Sequence, residues 1–171
     1  MKQLWSKDYN ELHKDKGNWF TESRYNKYAF TMRDGSIKRM SYFFELYKPK
    51  SLLDYGCGHG TDHFRIPENI KLINYDPFVD EWSTRPNQSA DLTVCYNVFN
   101  TIECGYFDDV VDDIFNLTNI ALVCNIRVPG EWRNDPEYFV KKLSSRFSIK
   151  DCSYTENQSY GNKNLFLLLE K

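Results

Sequence analysis

The sequence predicts an α/β fold built on a mostly parallel sheet that ends in an antiparallel hairpin. Three observations carry that prediction. From residue 38 onward, short apolar strand-like runs alternate with amphipathic helical runs, the pattern of parallel strands joined by helices. The strand-like run Ser51–Tyr55 is followed at once by glycines at alternate positions, Gly56, Gly58 and Gly60, which bare the main chain at the end of a strand, where such sheets bind ligands. The last two apolar runs, Phe147–Cys152 and Leu165–Leu169, flank a polar stretch with no helical run between them, as a hairpin requires.

The elements follow in chain order. Lys38–Tyr47 sets Met40, Phe43, Phe44 and Tyr47 at i, i+3, i+4 and i+7 of a helix that Pro49 closes. Ser51–Tyr55 is a short buried strand. Past Gly60, Thr61 is the N-cap of a helix that Pro67 limits to about two turns. Lys71–Tyr75 is the next strand, ending at Asp76-Pro77, and Asp91–Tyr96 the one after it. Phe107–Leu117 is the clearest helix: Phe107, Val110, Val111, Ile114 and Phe115 share one face. Asp108, Asp109, Asp112 and Asp113 then read as its solvated opposite face and not as paired catalytic carboxylates. Ile120–Ile126 is a buried strand, Asp135–Ser145 a helix with Pro136 in its first turn, and the hairpin closes around the polar loop Thr155–Asn164. There is no internal repeat or low-complexity tract.

At 171 residues the chain fits a single domain, 1–171, with residues 1–48 as a helical, aromatic cap and 49–171 as the α/β core. Hydrophobic residues at 41% and aromatic residues at 16% give enough apolar material for a packed core, which excludes a disordered chain. The segment Met1–Asp8 lacks the apolar centre of a signal peptide, and the longest apolar runs are far below membrane-spanning length. A cytoplasmic protein without a membrane partner is expected. Cys57, Cys95, Cys104, Cys124 and Cys152 are odd in number and contain no CxxC pair, so they read as buried free thiols. Cys57 with His59 and His63 lacks the second cluster that structural zinc needs, and no metal is expected.

The net charge of −2 conceals an asymmetry. Residues 1–50 carry 11 Lys/Arg and 6 Asp/Glu (+5), leaving 11 and 18 (−7) for the remainder. Aromatic residues from Trp5 to Tyr47 interleave with the basic ones. That is the composition of a nucleotide or nucleic-acid surface, but an aromatic-faced lid packed on the core with solvated lysines accounts for it better.

The glycine spacing discriminates between ligands. A dinucleotide fingerprint has the form GxGxxG, whereas this loop reads Asp54-x-Gly56-x-Gly58-x-Gly60, with an acid before the first glycine. A phosphate-binding Walker loop needs GK[ST], which is absent. Residues 50–130 carry "LLDYGCGHGT", then "LINYDP" with Asp76 22 residues beyond Asp54, then "ADLTVCYNVFNTIE". In these three pieces the chain resembles the class I S-adenosylmethionine-dependent methyltransferases, and most of all small methyltransferases of bacteria and their phages.

The resemblance implies a Rossmann-like sheet, S-adenosylmethionine as cofactor and methyl transfer as activity. It implies that Asp54, Gly56, Cys57, Gly58 and Gly60 form the loop under the methionine and ribose, with Asp54 ordering the loop or meeting the amino group. It further implies that Asp76 accepts the ribose hydroxyls, that Pro77 and Phe78 lie beside the adenine, and that Tyr96, Asn97 and Val98 border the sulfonium. The family fits a helix and another strand after its second strand. Here only the 15 residues Pro77–Asp91 are present, so the third strand and its helix are trimmed, and with them the usual adenine-contacting acid; Gln88 or Ser89 is the expected substitute.

Catalysis of an in-line methyl displacement comes largely from holding the acceptor in place, and no side chain is assigned as catalytic. Rim candidates are His59, Asn97, Asn100, Glu103, Arg127, Glu131 and Trp132. Among them Asn100, Arg127 and Trp132 are the substrate candidates, and "SRYNKYAF" is a segment able to close over the cofactor. DPPY and Pro-Cys motifs of the common DNA methyltransferases are absent. The acceptor stays open among small molecules, nucleic acid and protein. Two alternatives remain beside an active enzyme: a protein that binds the cofactor without transferring methyl groups, as a regulator or partner subunit, and a nicotinamide enzyme, which the glycine spacing disfavours.

Overall fold

The computed structural model describes residues 40–58, 66–102, 104–128, 136–157 and 162–171, with main chain alone at 100, 104, 127, 128, 136, 154–157 and 162–164. Helix α1 (40–47) precedes strand β1 (Ser51–Tyr55). Strands β2 (Lys71–Tyr75) and β3 (Ala90–Cys95), helix α2 (Cys104–Leu117) and strand β4 (Thr118–Val128) come next. Helix α3 (Pro136–Ser144) and the hairpin β5 (Ser148–Asn157) and β6 (Asn162–Glu170) complete the chain. The six strands form one sheet in the order β2-β1-β3-β4-β6-β5. β2, β1, β3 and β4 are mutually parallel, while β6 is antiparallel to both β4 and β5. This is the predicted sheet.

Alternation along the strands divides the core between two faces. Leu53, Tyr55, Cys95, Leu122, Cys124 and Ile126 pack under α2 and α3 with Phe107, Val110, Ile114, Phe139 and Leu143. Leu52, Leu92, Val94, Ala121 and Val123 pack under α1 with Met40, Phe43 and Phe44. The helical stripe read from Met40, Phe43 and Phe44 is therefore the buried face of α1, and Tyr47 beside it donates to Glu170 Oε1 at 2.8 Å.

Between β2 and β3, among the described residues, there is no further strand and no α-helix, only a 3-10 turn at Asp80–Trp82. This connector crosses the α2 face of β1. There Arg85 Nε bonds Asp113 Oδ1 at 2.6 Å, and the Tyr55 hydroxyl donates to Asp113 Oδ2 at 2.9 Å. The trimmed third strand is thus replaced by an irregular segment clamped to α2 through one carboxylate.

Three expectations are corrected. In the acid row of α2, Asp113 is buried and not solvated, whereas the side chains of Asp108 and Asp112 stay exposed while pairing with Lys142 and Arg146 at the α3 end, each at 2.6 Å. The polar loop of the hairpin is shorter than Thr155–Asn164, because Thr155–Asn157 pair with Asn162–Asn164 and continue the ladder. Cys57, Cys95 and Cys124 are buried free thiols as expected, but Cys152 is exposed. The helix expected after Gly60 and the segment "SRYNKYAF" lie outside the described residues. No helix among the described residues is long and apolar enough to cross a membrane.

Candidate functional site

Because β1–β4 are parallel, their carboxyl ends share one rim, and each delivers expected residues there. Gly56–Gly58 follow β1, Asp76–Phe78 follow β2, Tyr96–Val98 follow β3, and Arg127 stands near the end of β4 opposite Asn164 of β6.

The glycine turn has a physical requirement for glycine. Gly56 (φ 78°) and Gly58 (φ 59°) both lie in the left-handed region, which a Cβ disfavours. Gly56 N–H donates to the Tyr75 carbonyl at 2.7 Å and Cys57 N–H to the same oxygen at 3.3 Å, so the turn hooks over the end of β2. A Cβ on Gly56 would stand 2.3 Å from Val98 Cγ2. Val98 is buried and forms a floor beneath the turn.

Asp76 joins the turn to the second strand. Its Oδ2 accepts the Gly58 N–H and its Oδ1 the Phe78 N–H, each at 2.9 Å. A half-buried pair of adjacent acceptors at a strand end, next to a bared glycine turn, fits the vicinal hydroxyls of a ribose. Pro77 and Phe78 are half-buried beside it, and the Phe78 ring packs on the core under α2.

Cys57 contributes main chain and not chemistry. Its thiol is buried and donates to the Gly58 carbonyl at 3.6 Å. Burial first, then the carboxylates of Asp54 and Asp76, push its pKa up to about 12, so it stays a neutral thiol at physiological pH. Asp54 is buried in β1 one residue before its end, in register with Asn74 and Val94. Tyr96 donates its hydroxyl to Met40 Sδ at 3.4 Å and meets Phe166 edge-on at 6.2 Å, which turns its ring toward α1 and the hairpin.

The residue that sequence reading missed is Asn125. It sits fully buried on β4, inside an apolar run whose pattern gives no signal for it. Its Oδ1 accepts the Asn97 N–H at 2.7 Å and its Nδ2 donates to Asn97 Oδ1 at 3.0 Å. Asn97 is exposed on the rim with φ 60°. Asn100 lies in the 3-10 turn Phe99–Thr101 directly after Val98. His59, Gly60, Glu103, Glu131 and Trp132 lie outside the described residues. Ser89 does not reach the rim: it precedes β3 at the opposite end of the sheet and bonds Asn119 at 2.6 Å, so it and neighbouring Gln88 cannot replace the trimmed adenine contact. In their place the main chain of Trp82 approaches the rim, its carbonyl accepting the Asp76 N–H at 3.1 Å. No group of three potential metal ligands occurs among the described residues.

No family model and no curated protein matches the chain. Solved structures do. One is 1,6-didemethyltoxoflavin-N1-methyltransferase of Burkholderia thailandensis with bound 1,6-didemethyltoxoflavin and S-adenosylhomocysteine, at 14% identity and TM-score 0.71 over 94% of this chain and 87% of that one. Another is magnesium protoporphyrin IX methyltransferase of Synechocystis PCC 6803 with bound S-adenosylmethionine, at 12% identity and TM-score 0.66 over 95% and 98%. A third is the N-methyltransferase NodS of Bradyrhizobium japonicum in complex with S-adenosylhomocysteine, at 13% identity and TM-score 0.56 over 78% and 86%. With its parallel rim, its antiparallel closing hairpin and these structural neighbours, the chain has the fold of the S-adenosylmethionine-dependent methyltransferases.

Proposed function

We propose that this protein is an S-adenosylmethionine-dependent methyltransferase that transfers a methyl group in line to an acceptor yet to be identified. The observation that carries the reading is the Asp76 carboxylate bridging Gly58 and Phe78, which puts paired acceptors beside a left-handed glycine turn at the rim of this sheet. When bound, the cofactor supplies an electrophilic methyl group on a sulfonium.

The chain's own residues then bind and orient. Asp76 receives the ribose hydroxyls, and Gly56–Gly58 let the methionine portion lie against main chain without a Cβ in the way. By sequence Gly60 continues the glycine series of that cradle, and Pro77 and Phe78 flank the base. We assign Asn97, Asn100, Arg127 and Trp132 the task of holding the acceptor in line, which supplies much of the rate by fixing geometry. We assign no general base, since one is needed only where the acceptor must lose a proton in the slow step. We read residues 1–171 as one domain, and the buried free thiols Cys57, Cys95 and Cys124 support a reducing, cytoplasmic setting.

Titration calorimetry with S-adenosylmethionine, S-adenosylhomocysteine and NAD tests the reading. Binding of both sulfur compounds and not of NAD is expected; failure of both to bind ends it. A labelled-methyl survey over metabolites, nucleic acid and cell extract then reads activity. Tight binding with no labelled acceptor favours a regulatory binding protein, the reading that the trimmed connector also suits.

A further inference from the structure

We propose that Trp82 recognises the adenine ring of the cofactor by donating its indole N–H to one of the base's ring nitrogens; this rests on the adenosyl reading above. Among the described residues, Trp82 Nε1 is the buried side-chain nitrogen or oxygen that has no hydrogen-bond partner. An indole nitrogen is a donor only, and a buried donor without a partner is rare enough in folded proteins to need a reason. The turn itself gives none. Its main chain is already closed, with Trp82 N–H donating to the Val79 carbonyl at 2.8 Å, and Ser83 Oγ bonding the Asp80 carbonyl at 3.0 Å.

The position supplies the reason. The Tyr75 carbonyl accepts the Gly56 N–H, so Tyr75 faces β1, and the alternation of main-chain groups turns the Asp76 N–H to the outer edge of β2. There it meets the Trp82 carbonyl at 3.1 Å. Trp82 therefore occupies the outer edge of β2 at its carboxyl end, where a further strand would pair. The carboxylate that would hold the ribose belongs to the residue it bonds. The base hangs from that same ribose, so it must lie within about one ring of Asp76. Trp82 as a whole is only half-buried, whereas Asp80 and Glu81 of the same turn are exposed; because Nε1 itself is covered, the bond to the base requires the indole ring to turn on binding.

Adenine presents ring nitrogens that only accept and a 6-amino group that only donates. A carboxylate would read the amino group; an indole N–H reads a ring nitrogen. Recognition at this edge is thus by donation from the protein, and it does not depend on the 6-amino group.

The test is calorimetry of wild type and Trp82→Phe with S-adenosylhomocysteine, its 1-deaza, 3-deaza and 7-deaza analogues, and the analogue lacking the 6-amino group. Trp82→Phe is expected to weaken S-adenosylhomocysteine about 10-fold. One deaza analogue should lose about the same factor in wild type and nothing further in Trp82→Phe, and removal of the amino group should change affinity by less than about 3-fold. A second measurement does not depend on the variant's folding. In ¹⁵N-indole spectra of the wild type, one of the four tryptophan N–H resonances should shift on adding S-adenosylhomocysteine and stay in place with the discriminating deaza analogue. Unchanged affinity in Trp82→Phe with normal binding to wild type, or equal deaza losses in both proteins, overturns the Trp82 assignment alone. Absence of any S-adenosylhomocysteine binding to wild type overturns the adenosyl reading and this inference with it.

Discussion

Asn125, fully buried on β4, accepts the Asn97 N–H at 2.7 Å through its side-chain oxygen and returns a bond to the Asn97 side-chain oxygen at 3.0 Å. The pair lies just beyond the end of the β3–β4 ladder, Asn125 one residue past Cys124 and Asn97 two residues past Cys95. It holds Asn97 in the left-handed region, which asparagine tolerates better than most side chains. Asn125→Leu, close in volume but without the amide, is expected to leave that N–H without its partner and to lower stability by about 1–3 kcal/mol. Asn97→Gly loses one bond of the pair yet suits the backbone, and should cost less than about 1 kcal/mol. Urea unfolding of the two variants checks this; equal losses would show that the pair does not hold the backbone.

Gly56→Ala combines two penalties that a double mutant separates. The new Cβ must adopt φ 78° and meets Val98 Cγ2 at 2.3 Å. Left-handed strain of about 1–2 kcal/mol and overpacking of about 1–3 kcal/mol give an expected loss of roughly 2–5 kcal/mol. Adding Val98→Ala removes the clash but not the strain, so Val98→Ala should be less damaging in the Gly56→Ala background than alone. Additive losses in thermal or urea unfolding would mean that the turn moves away from Val98 and the two positions do not compete.

The connector that replaces the trimmed strand should depend on Asp113. This carboxylate receives the buried Tyr55 hydroxyl at 2.9 Å and Arg85 at 2.6 Å. The Arg85 side chain is 36% exposed, so solvent screens its share of the attraction. The larger loss in Asp113→Ala is the stranded Tyr55 hydroxyl, about 1–3 kcal/mol. Hydrogen exchange should then quicken at Trp82 and Val79, whose N–H and carbonyl hold the Asp80–Trp82 turn, more than in the β3–β4 ladder. Uniform quickening would show a global effect and no clamp.

The sheet was legible because its strands are short apolar runs bounded by strong turn signals. Ser51–Tyr55 and Lys71–Tyr75 match their predicted bounds for that reason. The rim was legible because ligand contacts follow parallel strands, and Gly56, Gly58 and Asp76 do meet there. What escaped depends on partners distant in sequence. Asn125 lies 28 residues from Asn97 and Asp113 lies 58 residues from Tyr55, and a helical period cannot tell a solvated acid from one that receives a buried tyrosine. Trp82 sits in a stretch without periodicity, so only its bond to Asp76 reveals its place. The hairpin ran longer than its apolar pattern, because the polar pairs Thr155–Asn164 and Asn157–Asn162 complete the ladder as well as apolar ones.

Alkaline pH should destabilise the fold through groups at the same rim. Burial, then Asp54 and Asp76, raise the Cys57 thiol from 9.0 to about 12, and burial, then Asp113, raise Tyr75 from 10.0 to about 12. A raised folded value means that the unfolded chain releases the proton first, so stability is full below pH 9 and falls as pH rises from 9 toward 12. Urea midpoints should be flat between about pH 7 and 8.5 and decline above, less steeply in Cys57→Ala. Over the flat range iodoacetamide should label exposed Cys152 and leave Cys57, Cys95 and Cys124 unmodified. Rapid modification of Cys57 at pH 8 would contradict its burial.

Asp76 has two tasks that a single substitution confounds. Its oxygens accept the Gly58 and Phe78 N–H groups at 2.9 Å whether or not anything is bound, so Asp76→Ala loosens the turn as well as removing acceptors for a ribose. The expected loss in S-adenosylhomocysteine affinity is at least about 1–3 kcal/mol, the cost of leaving ribose hydroxyls unpaired. Asp76→Asn keeps one acceptor oxygen and should fall between. The two tasks separate on a cofactor analogue lacking the 2′ and 3′ hydroxyls. Wild type should bind that analogue more weakly than S-adenosylhomocysteine, whereas Asp76→Ala, with no carboxylate to lose, should bind the two alike. If both proteins instead lose the same factor on removal of the hydroxyls, the carboxylate serves only to tie Gly58 to the end of β2, and the ribose is held by another group on the rim.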